Sequence, residues 1–273
     1  MINYSADYLS EIISSRLNDV ILEKKKQWNE DSKFHTNFFY IDNVLPKEIV
    51  TNIYHTLNGV KINFWNNRKT LRESKKEFAK LDNANKIISN ITEAFHKRKV
   101  LELIELITNI NNLEADPSLY AGGVSMMNNE DFLNPHIDNS HDSKQKKFRR
   151  LNLLFYVSPE WIEDNGGNLE LWDKNIEKCS TIVSKFNRLI VMKTDKKSWH
   201  SVNAVKINKP RYCVSNYYFT KESPEDKNYF HVTSFNGRPN QKIRRIYSMI
   251  DNKIRQKFAD ITGLRRGKHL LRN

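Results

Sequence analysis

Two histidines and an aspartate have the residue types and the spacing of a metal site. His136 and Asp138 stand two positions apart in the segment Asn134–Asn139, and His200 stands in a later segment that also has the pattern of a strand. Because strand side chains alternate between two faces, His136 and Asp138 point to the same side of one extended segment. Two imidazoles and one carboxylate on one face of an Fe(II) ion leave the opposite face open for other ligands. The three residues therefore predict a non-haem iron centre.

Arg211, which opens a strand-like segment after His200, adds a fixed positive charge. A guanidinium is planar, always charged and able to hold a carboxylate with two hydrogen bonds. Arg211 is therefore the candidate anchor for the far carboxylate of a keto-acid co-substrate. His141 lies in the same loop as Asp138 and competes as a metal ligand, but we expect it to be solvated.

The candidate ligands belong to a longer series of motifs that covers about two thirds of the chain. The motifs are Phe38–Pro46, Pro135–Asn139, Leu151–Val157, Asn165–Trp172, Phe186–Val191, Trp199–Val202 and Arg211–Phe219. In this order they resemble the 2-oxoglutarate/Fe(II) dioxygenase superfamily, and within it the prolyl 4-hydroxylase-like branch.

The resemblance implies an α+β or mainly β fold. Its core would be a double-stranded β-helix (the jelly-roll, cupin-like architecture) with a layer of supporting helices. Helical patterns before short strand-like segments agree with this arrangement. We expect an N-terminal helix in residues 1–33, the dioxygenase domain in residues 34–222 and a basic helical extension in residues 223–273.

The spacing of apolar residues predicts the individual elements. Residues 60–85 have no clear pattern and are interpreted as a loop, and Gly166-Gly167 predicts a turn with positive φ. Helices are predicted at Tyr8–Trp28, Pro46–Asn58, Ala84–His96 and Val100–Ile110. Strands are predicted at Phe38–Ile41, Leu119–Met127, Asn134–Ile137, Arg150–Val157, Asn168–Trp172, Thr181–Val183, Arg188–Lys193, Ser198–Val202 and Arg211–Thr220.

The resemblance also implies a reaction and its cofactors. His136, Asp138 and His200 would bind Fe(II), with 2-oxoglutarate and O2 as co-substrates and ascorbate as a reductant. Decarboxylation of 2-oxoglutarate to succinate and CO2 would accompany hydroxylation of an unactivated C–H bond. Halogenating relatives carry a small residue in place of the carboxylate, so Asp138 favours hydroxylation.

Four residues are predicted to form the 2-oxoglutarate pocket. Arg211 would bind the C5 carboxylate, and Tyr156 matches a tyrosine that shares this carboxylate in the oxygen-sensing prolyl hydroxylases. Ser215 lies on the same strand face as Arg211, and Asn152 on the same face as Tyr156. Both are therefore expected to contribute to the pocket, and Lys193 or Arg188 would replace Arg211 if that anchor were wrong.

The resemblance makes a prolyl residue of a peptide or protein the leading substrate, and a free amino acid or another small molecule the alternative. One departure weakens the peptidyl-proline hypothesis, because Val124–Met127 lacks the tyrosine that prolyl hydroxylases commonly carry before the first ligand histidine. Arg149 and Arg150 either meet an acidic substrate or lie solvated in a loop. A function of another class, a non-catalytic cupin-like metal-binding module, also stays open.

The net charge of +13 suggests a nucleic-acid partner, but its distribution favours another explanation. Residues 238–273 carry 11 Lys/Arg against 2 Asp/Glu, a difference of +9. Apolar residues at helical spacing in this segment predict an amphipathic helix docked on the domain, with its basic face solvated. Nucleic acid, with oxidative repair as the activity, is the less favoured hypothesis. The apolar set is Ile243, Ile246, Tyr247, Ile250, Ile254, Phe258 and Ile261.

Two cysteines, Cys179 and Cys213, are too few for a disulfide framework and suit a reducing compartment. No apolar run approaches the ~20 residues of a membrane span. Residues 1–11 are polar and mixed in charge, unlike a signal peptide. We therefore expect a cytoplasmic protein without a membrane partner.

Overall fold

An antiparallel β-sheet curls into a half-barrel that helices flank. The computed structural model describes residues 4–30, 36–78, 85–225 and 229–262. The helices are α1 (Ala6–Asp19), α2 (Ile21–Asn29), α3 (Lys47–Asn58), α4 (Lys86–His96), α5 (Arg98–Thr108) and α6 (Lys242–Thr262). The strands are β1 (Phe38–Asp42), β2 (Asn66–Lys69), β3 (Glu73–Phe78), β4 (Glu114–Ala115), β5 (Gly123–Met127), β6 (Phe132–Ile137), β7 (Phe148–Tyr156), β8 (Leu169–Trp172), β9 (Cys179–Ile182), β10 (Arg188–Lys193), β11 (His200–Val202), β12 (Arg211–Thr220) and β13 (Ser234–Phe235).

The hydrogen-bonded order of the strands brings the two ends of the sheet face to face. The main path is β1-β10-β7-β12-β5-β3-β6-β11-β8-β9, while β2, β4 and β13 pair with β3, β12 and β6 respectively. Side chains from β7, β10 and β12 meet side chains from β8 and β9 in one apolar cluster. The predicted double-stranded β-helix core with supporting helices is therefore confirmed.

Alternation of side chains gives the sheet two different faces. On β7, Leu151, Leu153 and Phe155 pack in the large core that α1, α3, α4 and α5 share with the sheet. Leu154 and Tyr156 of the same strand pack in the cluster inside the half-barrel. Alternate residues of β7 therefore line the interior of the half-barrel, and Tyr156, which the sequence assigns to the pocket, is one of them.

The predicted helix Tyr8–Trp28 is two helices, α1 and α2. They meet at Val20, whose φ of −117° and ψ of 9° are not helical. The side chain of Ser5 accepts a hydrogen bond from the amide of Tyr8 and so caps the first helix. The change of direction at Val20 allows Trp28 to pack edge-on against Phe39 in β1, with ring centroids 6.2 Å apart.

The loop interpretation of residues 60–85 is wrong for much of its length, because β2 and β3 form a hairpin there. The sequence Glu73–Phe78 is too charged to show strand alternation. β3 instead gains its structure from pairing with β2 along one edge and with β6 and then β5 along the other. The short strands β4 and β13 were also not predicted, and residues 79–84 lie outside the described residues.

Helix α6 docks on the domain with the face opposite to the predicted one. The residues expected to be buried are exposed, from 55% for Phe258 to 85% for Ile243. The polar face makes the contacts: Asn252 bonds both backbone groups of Phe235, and Gln256 accepts from the amide of Val232. The reason is that the backbone around β13 needs hydrogen-bond partners that apolar side chains cannot supply.

None of the helices in the described part of the chain is long and apolar enough to cross a membrane.

The orientation of α6 predicts different effects for two neighbouring positions. Asn252→Ala removes both hydrogen bonds to Phe235, and leaving such groups unpaired costs about 1–3 kcal/mol, so the melting temperature should fall. Ile250→Ala is the matched control and should leave the melting temperature nearly unchanged, since Ile250 is 57% exposed. Calorimetry of both variants provides the measurement. A larger loss for Ile250→Ala than for Asn252→Ala would contradict this orientation.

Candidate metal centre and co-substrate pocket

The pairing of β6 with β11 brings two of the predicted ligands together. His200 lies directly opposite His136, and the imidazole centroids are 4.1 Å apart. Asp138 follows β6, and its carboxylate oxygens lie 3.8 Å from Nε2 of His136 and 3.7 Å from Nε2 of His200. The three side chains are buried, with their candidate ligand atoms within 4.8 Å of one another. The described residues contain no second cluster of this kind.

Both imidazoles are held with Nε2 available for a metal. Nδ1 of His136 lies 3.0 Å from the carbonyl oxygen of Asn134, and Nδ1 of His200 lies 2.9 Å from that of Ser198. Because a carbonyl oxygen only accepts, each Nδ1 carries the proton and donates it. Nε2 of each ring therefore keeps its lone pair, which is the arrangement that orients a metal-binding histidine.

The protonation states of the cluster also suit a cation. Burial, together with the neighbouring His200, lowers the pKa of His136 to about 3, so this imidazole is neutral at physiological pH. Burial alone would raise the pKa of Asp138, but His200, Arg149 and His136 offset this effect and hold the pKa below its ordinary value. Neutral imidazole and carboxylate are the forms that bind metal.

The donor set fits Fe(II). Oδ2 of Asp138 is buried and has no hydrogen-bond partner among the described residues. A buried carboxylate oxygen without a partner is costly, and a divalent cation held between Asp138, His136 and His200 would remove that cost. Two imidazoles and one carboxylate match the non-haem iron set.

Arg211 lies inside the half-barrel beside Tyr156. The guanidinium carbon is 4.7 Å from the centre of the Tyr156 ring, while Nε donates to Ser184 over 3.3 Å and one terminal nitrogen lies 3.4 Å from the sulfur of Met127. Arg211 is only 3% exposed and forms no ion pair with an acidic side chain of the described residues. A buried guanidinium in this state is suited to an anionic ligand.

The Tyr156 hydroxyl is a second group available to that ligand. It is buried and makes no hydrogen bond of ordinary geometry with a described residue. Burial raises the pKa of Tyr156 to about 12, so the hydroxyl keeps its proton and can donate it. Arg211 and Tyr156 are therefore two adjacent buried donors.

The Gly166-Gly167 turn makes room for Arg211. Both glycines have positive φ, 70° and 65°, as predicted. A Cβ atom on Gly167 would lie 2.8 Å from Cδ of Arg211, and one on Gly166 would lie 2.0 Å from the carbonyl oxygen of Ala204. The turn therefore serves the position of the guanidinium as well as the chain reversal.

The other two predicted pocket residues lie further along the same strands. Ser215 contacts the sulfur of Cys213 at 3.7 Å. Asn152 is buried opposite Tyr217 and donates to the Tyr217 hydroxyl over 3.4 Å, while its own carbonyl oxygen has no partner among the described residues. These contacts do not bring Ser215 or Asn152 to Arg211. They place Asn152 beside the tyrosine whose pKa is raised by burial and by Asp138.

Arg149 is a site residue that the strand pattern alone does not identify. It is 1% exposed, and a terminal nitrogen lies 3.7 Å from Oδ1 of Asp138. Its guanidinium carbon lies 3.9 Å from the centre of the Tyr217 ring. None of its three guanidinium nitrogens has a hydrogen-bond partner among the described residues. The solvated-loop alternative is therefore wrong for Arg149, whereas Arg150 donates to Thr220 over 3.1 Å.

A β-bulge explains why Arg149 and not Arg150 points inward. Leu151 pairs with Tyr218, but the next pair is Arg149 with Phe219, so that Arg150 is an extra residue. An extra residue reverses the alternation of side chains. Simple alternation from Asn152 would have placed Arg150 inside.

The competing candidates lie outside the cluster. Nδ1 of His141 lies 2.8 Å from the hydroxyl of Ser140, and His141 is buried rather than solvated as the sequence predicted. Arg188 forms a bidentate pair with Asp42. Lys193 lies 3.2 Å from a carboxylate oxygen of Asp195. Both of these cations are therefore paired with a carboxylate, whereas Arg211 forms no ion pair with a described residue.

The segment after residue 228 packs against the strands that carry His136 and His200. Phe235 pairs with His136 across β13 and β6, and its ring stacks on the imidazole at 5.3 Å. Arg238 forms an ion pair of 2.7 Å with the buried Glu170. Glu170 also accepts from the hydroxyl of Ser201, the residue after His200. These contacts hold both histidine-bearing strands.

Comparison with known proteins agrees with this geometry. Residues 122–219, which include His136, Asp138, His200 and Arg211, match the model of the 2OG-Fe(II) oxygenase superfamily. None of the curated proteins matches the chain.

Solved structures share the fold at low sequence identity. A prolyl hydroxylase from Trichoplax adhaerens, solved with a hypoxia inducible factor peptide, has 19% identity and a TM-score of 0.54 over 77% of this chain and 92% of its own. A prolyl-4-hydroxylase from Pseudomonas putida has 13% identity and a TM-score of 0.53 over 76% and 98%. The epimerase SnoN from nogalamycin biosynthesis, which depends on alpha ketoglutarate, has 10% identity and a TM-score of 0.53 over 82% and 87%.

At these identities the likeness shows the fold, while the family match covers the segment that carries the cluster. Both findings confirm the resemblance predicted from the motifs. The chain is similar in sequence to the 2-oxoglutarate/Fe(II) oxygenase superfamily and in fold to prolyl hydroxylases.

Proposed function

We propose that this protein is an Fe(II)/2-oxoglutarate-dependent hydroxylase that acts on a prolyl residue of a peptide or protein. The observation that carries the proposal is the buried cluster of His136, Asp138 and His200, in which both imidazoles present Nε2 toward the same carboxylate. With Fe(II), 2-oxoglutarate and O2 bound, this centre would oxidise an unactivated C–H bond to an alcohol and release succinate and CO2.

The protein's own residues orient the metal and the keto acid. Hydrogen bonds from Nδ1 fix the ring orientation of His136 and His200, and Asp138 contributes the negative charge. Arg211 and the Tyr156 hydroxyl would bind the C5 carboxylate of 2-oxoglutarate at the inner end of the pocket. Ser215 lies between Arg211 and Tyr217 on the inward face of β12, where it would line the path of the co-substrate.

Arg149 would hold the acceptor substrate. Its guanidinium is close to Asp138 and keeps three nitrogens without hydrogen-bond partners among the described residues. Removing such a group from water is costly unless a ligand supplies acceptors. A backbone carbonyl of a peptide or a carboxylate of a small molecule would both do so, at a site beside the metal.

The peptide substrate is supported by the prolyl hydroxylase structures of similar fold, one of which was solved with a peptide. A small-molecule substrate is the second candidate for two reasons. SnoN has a similar fold. In addition, Val124–Met127 lacks the tyrosine that prolyl hydroxylases commonly carry before the first ligand histidine. Met127 places a thioether against Arg211, on the strand where prolyl hydroxylases commonly carry a tyrosine hydroxyl. Incubation with proline-containing peptides and with free amino acids, followed by mass spectrometry for the gain of one oxygen atom, distinguishes the two candidates.

Loss of any member of the cluster should abolish metal binding. His136→Ala, Asp138→Ala and His200→Ala each remove one ligand, so calorimetric titration with Mn²⁺ should show binding lost and Fe(II)-dependent succinate formation should cease. His141→Ala is the control and should retain both properties. Metal binding that survives His200→Ala but is lost in His141→Ala would mean that the ligand set is wrong. Metal binding by the native protein without succinate release would favour the non-catalytic module.

Removal of Arg211 should weaken 2-oxoglutarate binding. Truncating one partner of a buried charge pair costs about 2–5 kcal/mol, so Arg211→Ala should raise the KM for 2-oxoglutarate by about tenfold or more. Tyr156→Phe removes one neutral hydrogen bond of about 1 kcal/mol and should raise it less. Arg188→Ala is the control, since that guanidinium is paired with Asp42. An unchanged KM in Arg211→Ala would reassign the anchor.

Removal of Arg149 should affect the acceptor and not the keto acid. Arg149→Ala should raise the KM for the acceptor by about tenfold or more, because a charge-assisted hydrogen bond is lost in a desolvated site. The KM for 2-oxoglutarate should change little. The matched control Arg150→Ala alters the neighbouring residue, which donates to Thr220 instead. If Arg149→Ala changed only the melting temperature, the substrate role would be wrong.

A further inference from the structure

The outer face of α6 is an apolar stripe that the fold does not cover. Six large apolar residues of this stripe are each at least 57% exposed. Their spacing of three, four or seven positions, with the neighbours Ile246 and Tyr247, places them on one side of a helix. The stripe consists of Ile243, Ile246, Tyr247, Ile250, Ile254 and Ile261.

The orientation of α6 is fixed by bonds on its other side. Besides the bonds between Asn252 and Phe235, Arg255 donates to the carbonyl oxygen of Thr233 over 2.9 Å. Arg245 donates to the carbonyl oxygen of Asn175 over 2.7 Å and pairs with Glu177. Turning the stripe inward would break these bonds, so its exposure follows from the docking of the helix.

Positive charge accompanies the stripe. Helix α6 contains six Lys/Arg and two Asp/Glu, and Lys242, Lys253 and Lys257 are exposed within the stripe or along its margin. Residues 263–273 add four Lys/Arg and no Asp/Glu to the sequence that follows. A partner for this surface must therefore provide both an apolar environment and negative charge.

A bilayer with anionic lipids meets both requirements. Two copies of α6 packed stripe to stripe would bring like charges together, which opposes association. A nucleic acid offers negative charge but no environment that buries isoleucines. A basic amphipathic helix of low mean hydropathy characteristically lies in the membrane interface. The sequence predicts no membrane partner because no segment can span a bilayer, but an interfacial helix needs no span.

We propose that the stripe of α6, with Lys242, Lys253 and Lys257, binds the surface of an anionic phospholipid bilayer. The apolar side chains enter the boundary between headgroups and acyl chains, and the lysine ammonium groups contact anionic headgroups. This attachment does not depend on the proposed catalytic activity. It would place the protein at a membrane without crossing it.

Co-sedimentation of the full chain with vesicles tests the proposal. The protein should bind vesicles of mixed phosphatidylcholine and phosphatidylserine, bind phosphatidylcholine alone much more weakly, and lose affinity at high salt. The triple variant Ile243→Ser/Ile246→Ser/Ile250→Ser should bind about tenfold more weakly or not at all, because affinity scales with the apolar area buried. Its melting temperature should not fall, since the three residues are exposed. Lys253→Glu/Lys257→Glu should weaken binding only to the anionic vesicles.

A matched control uses apolar residues that are exposed elsewhere. Leu22→Ser/Ile62→Ser changes side chains that are 81% and 65% exposed, outside α6, and should leave vesicle binding unchanged. Absence of binding to anionic vesicles would overturn the proposal. So would a concentration-dependent dimer that the triple variant abolishes, which would make a second copy the occupant. Salt-sensitive binding to duplex DNA with no binding to vesicles would overturn it in favour of nucleic acid.

Discussion

The antiparallel pairing of β6 with β11 is the interaction on which the candidate site depends. It sets His136 opposite His200 and thereby fixes the distance between two imidazoles that lie far apart in the sequence. Asp138 comes directly after β6, and from there its carboxylate lies close to Nε2 of both rings. A register shift of one residue would turn these side chains to the other face of the sheet. The flanking contacts of β8 and β13 stabilise this register from both sides.

Buried positive charge with too few hydrogen-bond partners is the second characteristic of the half-barrel. Arg149 and Arg211 are both almost inaccessible to solvent, yet neither has a full set of hydrogen-bond partners among the described residues. Such groups reduce stability unless a ligand pairs with them. Arg149 lies on β7 opposite Phe219 and beside Asp138, whereas Arg211 lies at the other end of β12, so the two guanidiniums suit a site with two anionic or polar ligands. A keto acid and an acceptor substrate are such a pair.

The segment after residue 228 connects the site with the periphery of the molecule. Phe235 stacks on His136, and Arg238 pairs with Glu170 behind His200. The same segment anchors α6 through Asn252. Helix α6 is therefore joined to the strands that carry the candidate metal ligands. The exposed apolar stripe of α6 lies on the side of the helix opposite to these contacts.

The sequence by itself determined the resemblance to the oxygenase superfamily, the fold class and the candidate ligands. His136, Asp138, His200 and Arg211 are recognisable because a metal and a carboxylate demand particular side chains at particular intervals, and strand alternation is a local property. The hairpin of β2 and β3 was not recognisable, since its charged residues acquire strand structure only from neighbouring strands.

Which side chains of the strands and helices face one another was decided only by the tertiary structure. The bulge at Arg150 placed Arg149 inside and Arg150 outside, because one extra residue in a strand reverses the alternation of the side chains on its two sides. The face that α6 docks was decided by the hydrogen-bond needs of the backbone around β13, which outweighed the helix's own apolar pattern. Both outcomes depend on partners that are distant in the sequence, so no local pattern records them.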